Sequence, residues 1–137
     1  MALTAALLGL APPAGAAEAV ELRVVAVLLS DEPGSIDPAA RQLHEALKRQ
    51  RMEFRSARVV TSKTLRLAVG ATGHVPLPGG RSLRVQPLDA GEGGVLLAVR
   101  VEGSVDLDAR VPPGRPLVVR AGRVEGAELV VSVEPTR

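Results

Sequence analysis

Cysteine, tryptophan and tyrosine are absent from this chain of 137 residues, and Phe54 is its one aromatic residue. Without cysteine there can be no disulfide bond, thiolate metal site or cysteine nucleophile. Without aromatic rings the chain lacks the platforms on which proteins stack nucleic-acid bases, so we expect no sequence-specific nucleic-acid partner. No apolar run reaches the roughly 20 residues that a membrane-spanning helix needs. The sequence therefore predicts no transmembrane span.

The composition that remains is typical of a folded domain. Hydrophobic residues make up 46% of the chain, charged residues make up 23%, and the net charge is +2. A chain of this length and hydrophobicity can bury a core, and it fits one domain. Because no linker or fixed-period repeat divides it, we predict a single β-rich domain over residues 18–137.

Residues 1–17 have the layout of a secretory signal peptide. A short apolar run is followed by two prolines and then by the small residues Ala14, Gly15 and Ala16, at the spacing that a signal peptidase reads. No lysine or arginine precedes the run, which departs from the usual pattern. We predict cleavage near Ala16 or Ala17 and a mature protein that is periplasmic or secreted.

The mature region opens with a strand and a helix. Residues 22–29 are nearly all apolar and several are β-branched, which indicates a strand buried on both faces. Asp37 followed by Pro38 is a typical helix start. Four apolar residues then recur at helical spacing: Ala40, Leu43, Ala46 and Leu47. We predict one helix over residues 38–51, with Asp37 as its N-cap.

Strands and turns alternate from residue 54 onward. Leu83 and Val85 alternate with Arg84 and Gln86, as in an antiparallel strand with one exposed face. Turn signals recur about every 8–12 residues. The predicted strands span residues 54–61, 64–69, 74–77, 82–88, 95–101, 105–111, 116–120 and 128–133. These observations predict a mainly β (α+β) fold, an antiparallel β-sandwich-like domain with one N-terminal helix.

The residues that most often perform chemistry form no recognised motif. His44 and His74 lack zinc-protease spacing, and no serine stands in a G-x-S-x-G elbow. Asp106 and Asp108 share one face of a strand and could hold Ca²⁺ or act as acid and base. Arg110 follows on that face, so we predict a surface ion pair with Asp108. We predict no catalytic residue, no metal ligand and no cofactor.

Positive charge is concentrated in residues 41–66, which hold eight cations and two acids. Such a block can attract a polyanion or an acidic partner. It can equally be a solvated helix face followed by ordinary strand exteriors. The candidate contact residues are Arg41, Lys48, Arg49, Arg51 and Arg58.

Residues 54–70 and 75–88 resemble a known group of proteins. The second stretch follows the pattern LP-G-R-x-L-x-V-x-P-L. It is similar to small exported proteins, without an assigned activity, from high-GC bacteria of the myxobacterial kind. In those proteins a short strand–helix unit precedes a β-rich domain. The resemblance covers residues 22–133, implies export and β architecture, and transfers no catalytic residue.

We therefore expect a non-enzymatic exported protein of the cell envelope, an interaction or assembly module. Its expected partner is another envelope or secreted protein, because exposed strand edges can pair with a partner strand. Two alternatives stay open, an unrecognised periplasmic hydrolase and a weak polyanion-binding protein that uses residues 41–66. A concave pocket with converging titratable groups favours the hydrolase. Salt-sensitive retention on heparin favours polyanion binding.

Overall fold

The computed structural model describes residues 19–41, 43–51 and 54–136, so the predicted signal peptide lies outside the described residues. Within these ranges the chain forms eight strands and two short helices. The strands are β1 Ala19–Ser30, β2 Ser56–Ala68, β3 Gly73–Leu77, β4 Arg81–Gly91, β5 Gly94–Val101, β6 Val105–Val111, β7 Leu117–Val124 and β8 Ala127–Pro135. The helices are α1 Pro38–Arg41 and α2 His44–Arg49.

The strands form two antiparallel sheets, which confirms the predicted sandwich-like α+β fold. The first sheet has the order β2-β1-β8-β7, and the second is a meander in the order β3-β4-β5-β6. The chain therefore begins and ends in the first sheet and makes the whole second sheet in between. Each strand of the second sheet pairs with its neighbour in sequence, as short hairpin turns require.

β1 is buried on both faces, as its continuous apolar sequence predicts. Leu22 and Val24 belong to the core between the two sheets, to which every strand contributes. Val25 and Val27 face the other way and pack with Leu47 beneath the helices. A fully buried valine or leucine stabilises the fold by roughly 1.5–3 kcal/mol relative to an exposed one. The helices are thus held by a second apolar layer on the outside of the first sheet.

The prediction of one helix over residues 38–51 is wrong, because α1 and α2 are separate. The Leu43 amide donates to the Ala40 carbonyl at 3.0 Å, a tight turn between the helices. Leu43 and Leu47 are both buried against the sheet, so the predicted apolar stripe is confirmed. Arg51, with φ of 56°, follows the second helix in the left-handed region.

Asp37 does not cap α1 with its carboxylate, contrary to prediction. Its Oδ2 accepts a hydrogen bond from the Val59 amide of β2 at 2.9 Å. The Asp37 amide donates to the Ala57 carbonyl, also at 2.9 Å, and Ile36 forms a parallel bridge with Ala57. β2 is an edge strand, so its outward amides need acceptors from outside the sheet. Residues 35–37 supply them along the first part of this edge.

β2 is one strand of 13 residues, whereas two strands over residues 54–61 and 64–69 were predicted. Ser62 and Lys63, which separate the predicted pieces, are neither glycine nor proline and leave the backbone free to continue. Lys63 pairs with Val24, so its side chain lies on the same face as the core. A charge that points inward at a sheet edge discourages pairing with a further strand.

Candidate functional site

The outer face of the second sheet is polar and exposed. On the first sheet, the helices cover Val27 and Val130 of the outer face. On the second sheet, the outward side chains of Arg84, Asp106 and Asp108 are exposed. The predicted alternation on β4 is confirmed, since Leu83 and Val85 belong to the core.

A row of polar side chains crosses this face at right angles to the strands. His74 pairs with Arg84, Arg84 pairs with Arg100, and Arg100 pairs with Asp106. Directly opposed residues of an antiparallel pair have Cβ atoms about 4.5–5.5 Å apart. The side chains of Arg84 and Arg100 therefore leave the sheet at neighbouring positions on its two central strands. Like charges directly opposite each other destabilise a sheet.

The two arginines differ in their own partners. Arg100 Nε lies 3.1 Å from Asp106 Oδ1, so a carboxylate balances that guanidinium. Within the described part of the chain, Arg84 has neither an ion pair nor a side-chain hydrogen bond. Exposed pairs such as Arg100–Asp106 contribute little to stability. The centre of the row therefore has a net positive charge.

A hollow of about 340 Å³ opens beside the row. It is lined by Thr72, Arg84, Gln86, Ala98 and Arg100. Ala98 pairs with Gln86 and is only 2% exposed, so its small side chain forms the floor between longer ones. The Gln86 Nε2 donates to the Gly70 carbonyl at 2.8 Å, which holds that side chain at the rim. We call these five residues the arginine hollow.

A β-bulge brings the two arginines together. The turn between β4 and β5 pairs Gly91 with Gly94, and this register, if continued, would put Arg84 opposite Val101. Between Pro87 and Asp89 the register shifts by one residue, so Arg84 is opposite Arg100 instead. Proline cannot donate to the ladder and is found in sheets at bulges or edges. Sequence reasoning missed the hollow, and Pro87 was the one local signal for this shift.

The five basic residues proposed from the sequence lie elsewhere and on two surfaces. Arg41, Lys48, Arg49 and Arg51 are exposed on or after the helices that cover the first sheet. Arg58 is exposed on β2, and its neighbours Ala57 and Val59 belong to the layer under the helices. The two-residue period of a strand puts Arg58 on the opposite face of that sheet. Residues 41–66 thus form a divided basic surface.

The predicted ion pair between Asp108 and Arg110 is absent. Arg110 binds Asp89 instead, with 3.2 Å between Nη2 and Oδ2. The register set by the turn between β4 and β5 puts Asp89 opposite Leu96, whose other neighbour is Arg110. Asp108 has no ion pair among the described residues.

A second concavity, of about 210 Å³, lies between α1 and the first sheet. Arg23, Ser132 and Glu134 contribute its polar side chains. Ser132 is 2% exposed, and it shares its face of β8 with Glu134 because the two are two positions apart. A serine nucleophile needs an adjacent general base held by a third group, and no histidine is among the described residues that line this cleft.

The two histidines are far apart in the fold. His74 is exposed on β3 of the second sheet, while His44 begins α2 on the outside of the first sheet. Over the described ranges, no three His, Cys, Asp or Glu side chains are grouped so that they could hold a metal ion. Nor does any helix in those ranges have the length and hydrophobicity to cross a membrane.

Comparisons of the chain with protein-family models, with curated proteins and with solved structures find no match. The arginine hollow therefore has to be interpreted from its own chemistry.

Proposed function

We propose that this chain is a non-enzymatic exported module of the cell envelope, and that an acidic partner binds the outer face of its second sheet. The juxtaposition of Arg84 and Arg100 supports this assignment. A pair of like charges opposed on a sheet is unfavourable for the fold alone, and an acidic group bound between them removes the repulsion. Arginine is also enriched among the residues that dominate binding interfaces.

The β2 edge supports partner binding less well than this face. At one end of β2 the edge is already bonded to residues 35–37. Further along, the Lys63 side chain lies on the core-facing side of β2, and a charge in that position discourages pairing with a partner strand. We therefore assign the partner to the outer face of the second sheet and not to the β2 edge of the first sheet.

Export rests on residues 1–17 and their likeness to a signal peptide. Cleavage near Ala17 leaves β1, which begins at Ala19, close to the new N-terminus. N-terminal sequencing of the native protein is expected to find a start near Ala17 or Glu18. An intact Met1 in a cytosolic fraction contradicts the assignment.

The partner assignment is tested by charge reversal on the face. In Arg84→Glu the new carboxylate lies opposite Arg100, so the variant is expected to fold at least as well as the wild type. The matched control is Arg115→Glu, which reverses an exposed arginine in the loop between β6 and β7. Capture of envelope proteins by the immobilised domain is compared among the three proteins. The proposal requires a partner that Arg84→Glu loses and the control retains, and equal capture by all three refutes it.

A further inference from the structure

The arginine hollow combines three features that suit a small anion. It has two guanidinium groups, one of them without a partner in the described chain, on adjacent strands. Its floor is the small side chain of Ala98, so an anion can approach the sheet between the longer side chains. Neutral polar groups, from Thr72 and Gln86, complete the lining. None of the described residues that line it is a carboxylate, and Asp108 borders it, opposite Ala98 on β6.

The arrangement of the arginines indicates the shape of that anion. One guanidinium fork can satisfy both oxygens of a planar carboxylate in a bidentate pair. Two guanidinium groups on neighbouring strands can each donate to different oxygens of one tetrahedral group. Phosphate and sulfate have such oxygens, and arginine is well suited to bind them.

The hollow is open to solvent and is larger than one small anion. Its volume of about 340 Å³ is roughly ten times the 30 Å³ that one water occupies in the liquid. That leaves room for a tetrahedral oxyanion together with the first atoms of whatever carries it.

We propose that the arginine hollow binds a tetrahedral oxyanion, a phosphate or sulfate group, between Arg84 and Arg100. The proposal rests on the proposed function, because it names the acidic group through which a partner binds this face. Arg84 and Arg100 donate hydrogen bonds to different oxygens, and Ala98 leaves the space that the group fills. Asp106 stays paired with Arg100 through Nε, so the negative charge of the ligand chiefly neutralises the guanidinium of Arg84.

The test is a titration of the folded domain with inorganic phosphate, inorganic sulfate and acetate at constant ionic strength. Backbone amide and arginine Nε resonances report the binding site. We expect saturable shifts at Arg84, Arg100 and Ala98 with phosphate or sulfate, with a dissociation constant in the range of about 1–10 mM. Acetate should bind about fivefold more weakly or worse, because one fork satisfies it.

Two variants examine the charge and the space separately. Arg84→Gln should weaken oxyanion binding about tenfold or more, because a hydrogen bond to a charged group is lost. Ala98→Leu keeps both arginines and fills the floor, so it should weaken binding to a similar degree. Arg115→Gln removes the same charge outside the hollow and should change the affinity less than twofold. Circular dichroism confirms that each variant is folded.

Several outcomes overturn the proposal. They are the absence of saturable shifts in the wild type, equal or tighter binding of acetate, an equal effect of Arg115→Gln, and unchanged binding by folded Ala98→Leu. If these occur while Arg84→Glu still abolishes partner capture, the oxyanion assignment fails and the partner assignment survives. If oxyanions bind as expected while capture is unaffected by Arg84→Glu, the hollow is a real anion site and the proposed partner surface is wrong.

Discussion

Replacing Leu47 with alanine measures how firmly the helices are attached to the first sheet. Leu47 is fully buried in the layer formed with Val25, Val27 and Leu43. Three buried carbons are lost, which at about 0.8 kcal/mol each removes about 2.4 kcal/mol of transfer free energy. The residual cavity adds to this, by about 24 cal/mol for each cubic ångström that the surroundings fail to fill. We expect a loss of about 3–4 kcal/mol in the free energy of unfolding.

Urea unfolding followed by far-UV circular dichroism is the suitable assay, because the chain has no tryptophan or tyrosine to report by fluorescence. The midpoint should fall while the slope with urea is unchanged, as for a loss of stability alone. Lys48→Ala is the matched control, since Lys48 is the exposed neighbour on the same helix, and it should change stability by at most about 0.5 kcal/mol. Equal effects of the two substitutions, or a loss below about 1 kcal/mol for Leu47→Ala, would refute the packing of α2 on the sheet.

Three further perturbations follow from the described geometry. Gly94→Ala should destabilise the domain by about 3 kcal/mol or more, because φ is +113° and a Cβ there would lie 2.6 Å from the Val111 carbonyl carbon. The control Gly114→Ala, where φ is +81° and the space is open, should lose only about 1–2 kcal/mol in the same urea assay. Asp37→Ala should lower stability by about 1–3 kcal/mol and speed hydrogen exchange at the Val59 amide, which loses its acceptor, whereas unchanged exchange would show that this bond is unimportant. Because the basic block of residues 41–66 is divided between two surfaces, heparin should retain the domain weakly and release it below about 0.3 M salt; retention that survives high salt would show that its charges converge.

The local pattern of the sequence was sufficient to predict much of the fold. Alternation over Leu83–Arg84–Val85 is enough to assign the buried and the exposed face of β4, because side chains on a strand alternate with period two. The same reasoning identified β1 as buried on both faces, since residues 24–29 are all apolar. Leu43 and Leu47 were assigned to the core by their spacing, although the helix that carries them is interrupted.

The roles of particular polar residues were harder to predict. Asp37 was expected to cap a helix because the sequence shows only its neighbours along the chain, whereas the unpaired amide that it binds belongs to Val59 on an edge strand. The predicted basic site was a group of residues close in sequence, and the alternation of β2 places Arg58 on the opposite face from the helices. Residues that are close along the chain therefore lie on two different surfaces, and their charges converge less than the sequence suggested.

By itself the sequence determined most of the burial pattern, most of the turns and the absence of cysteine chemistry, because periodicity, glycine, proline and composition act locally. Only the tertiary structure decided which side chains become neighbours. Arg84 and Arg100 meet because the extra residue at Leu88 shifts the register of β4 on β5, and a shift of one residue changes every pair beyond it. Cross-strand neighbours depend on register, and register is set by the pairing of whole strands and by the core that they enclose. For that reason the arginine hollow is a property of the folded sheet.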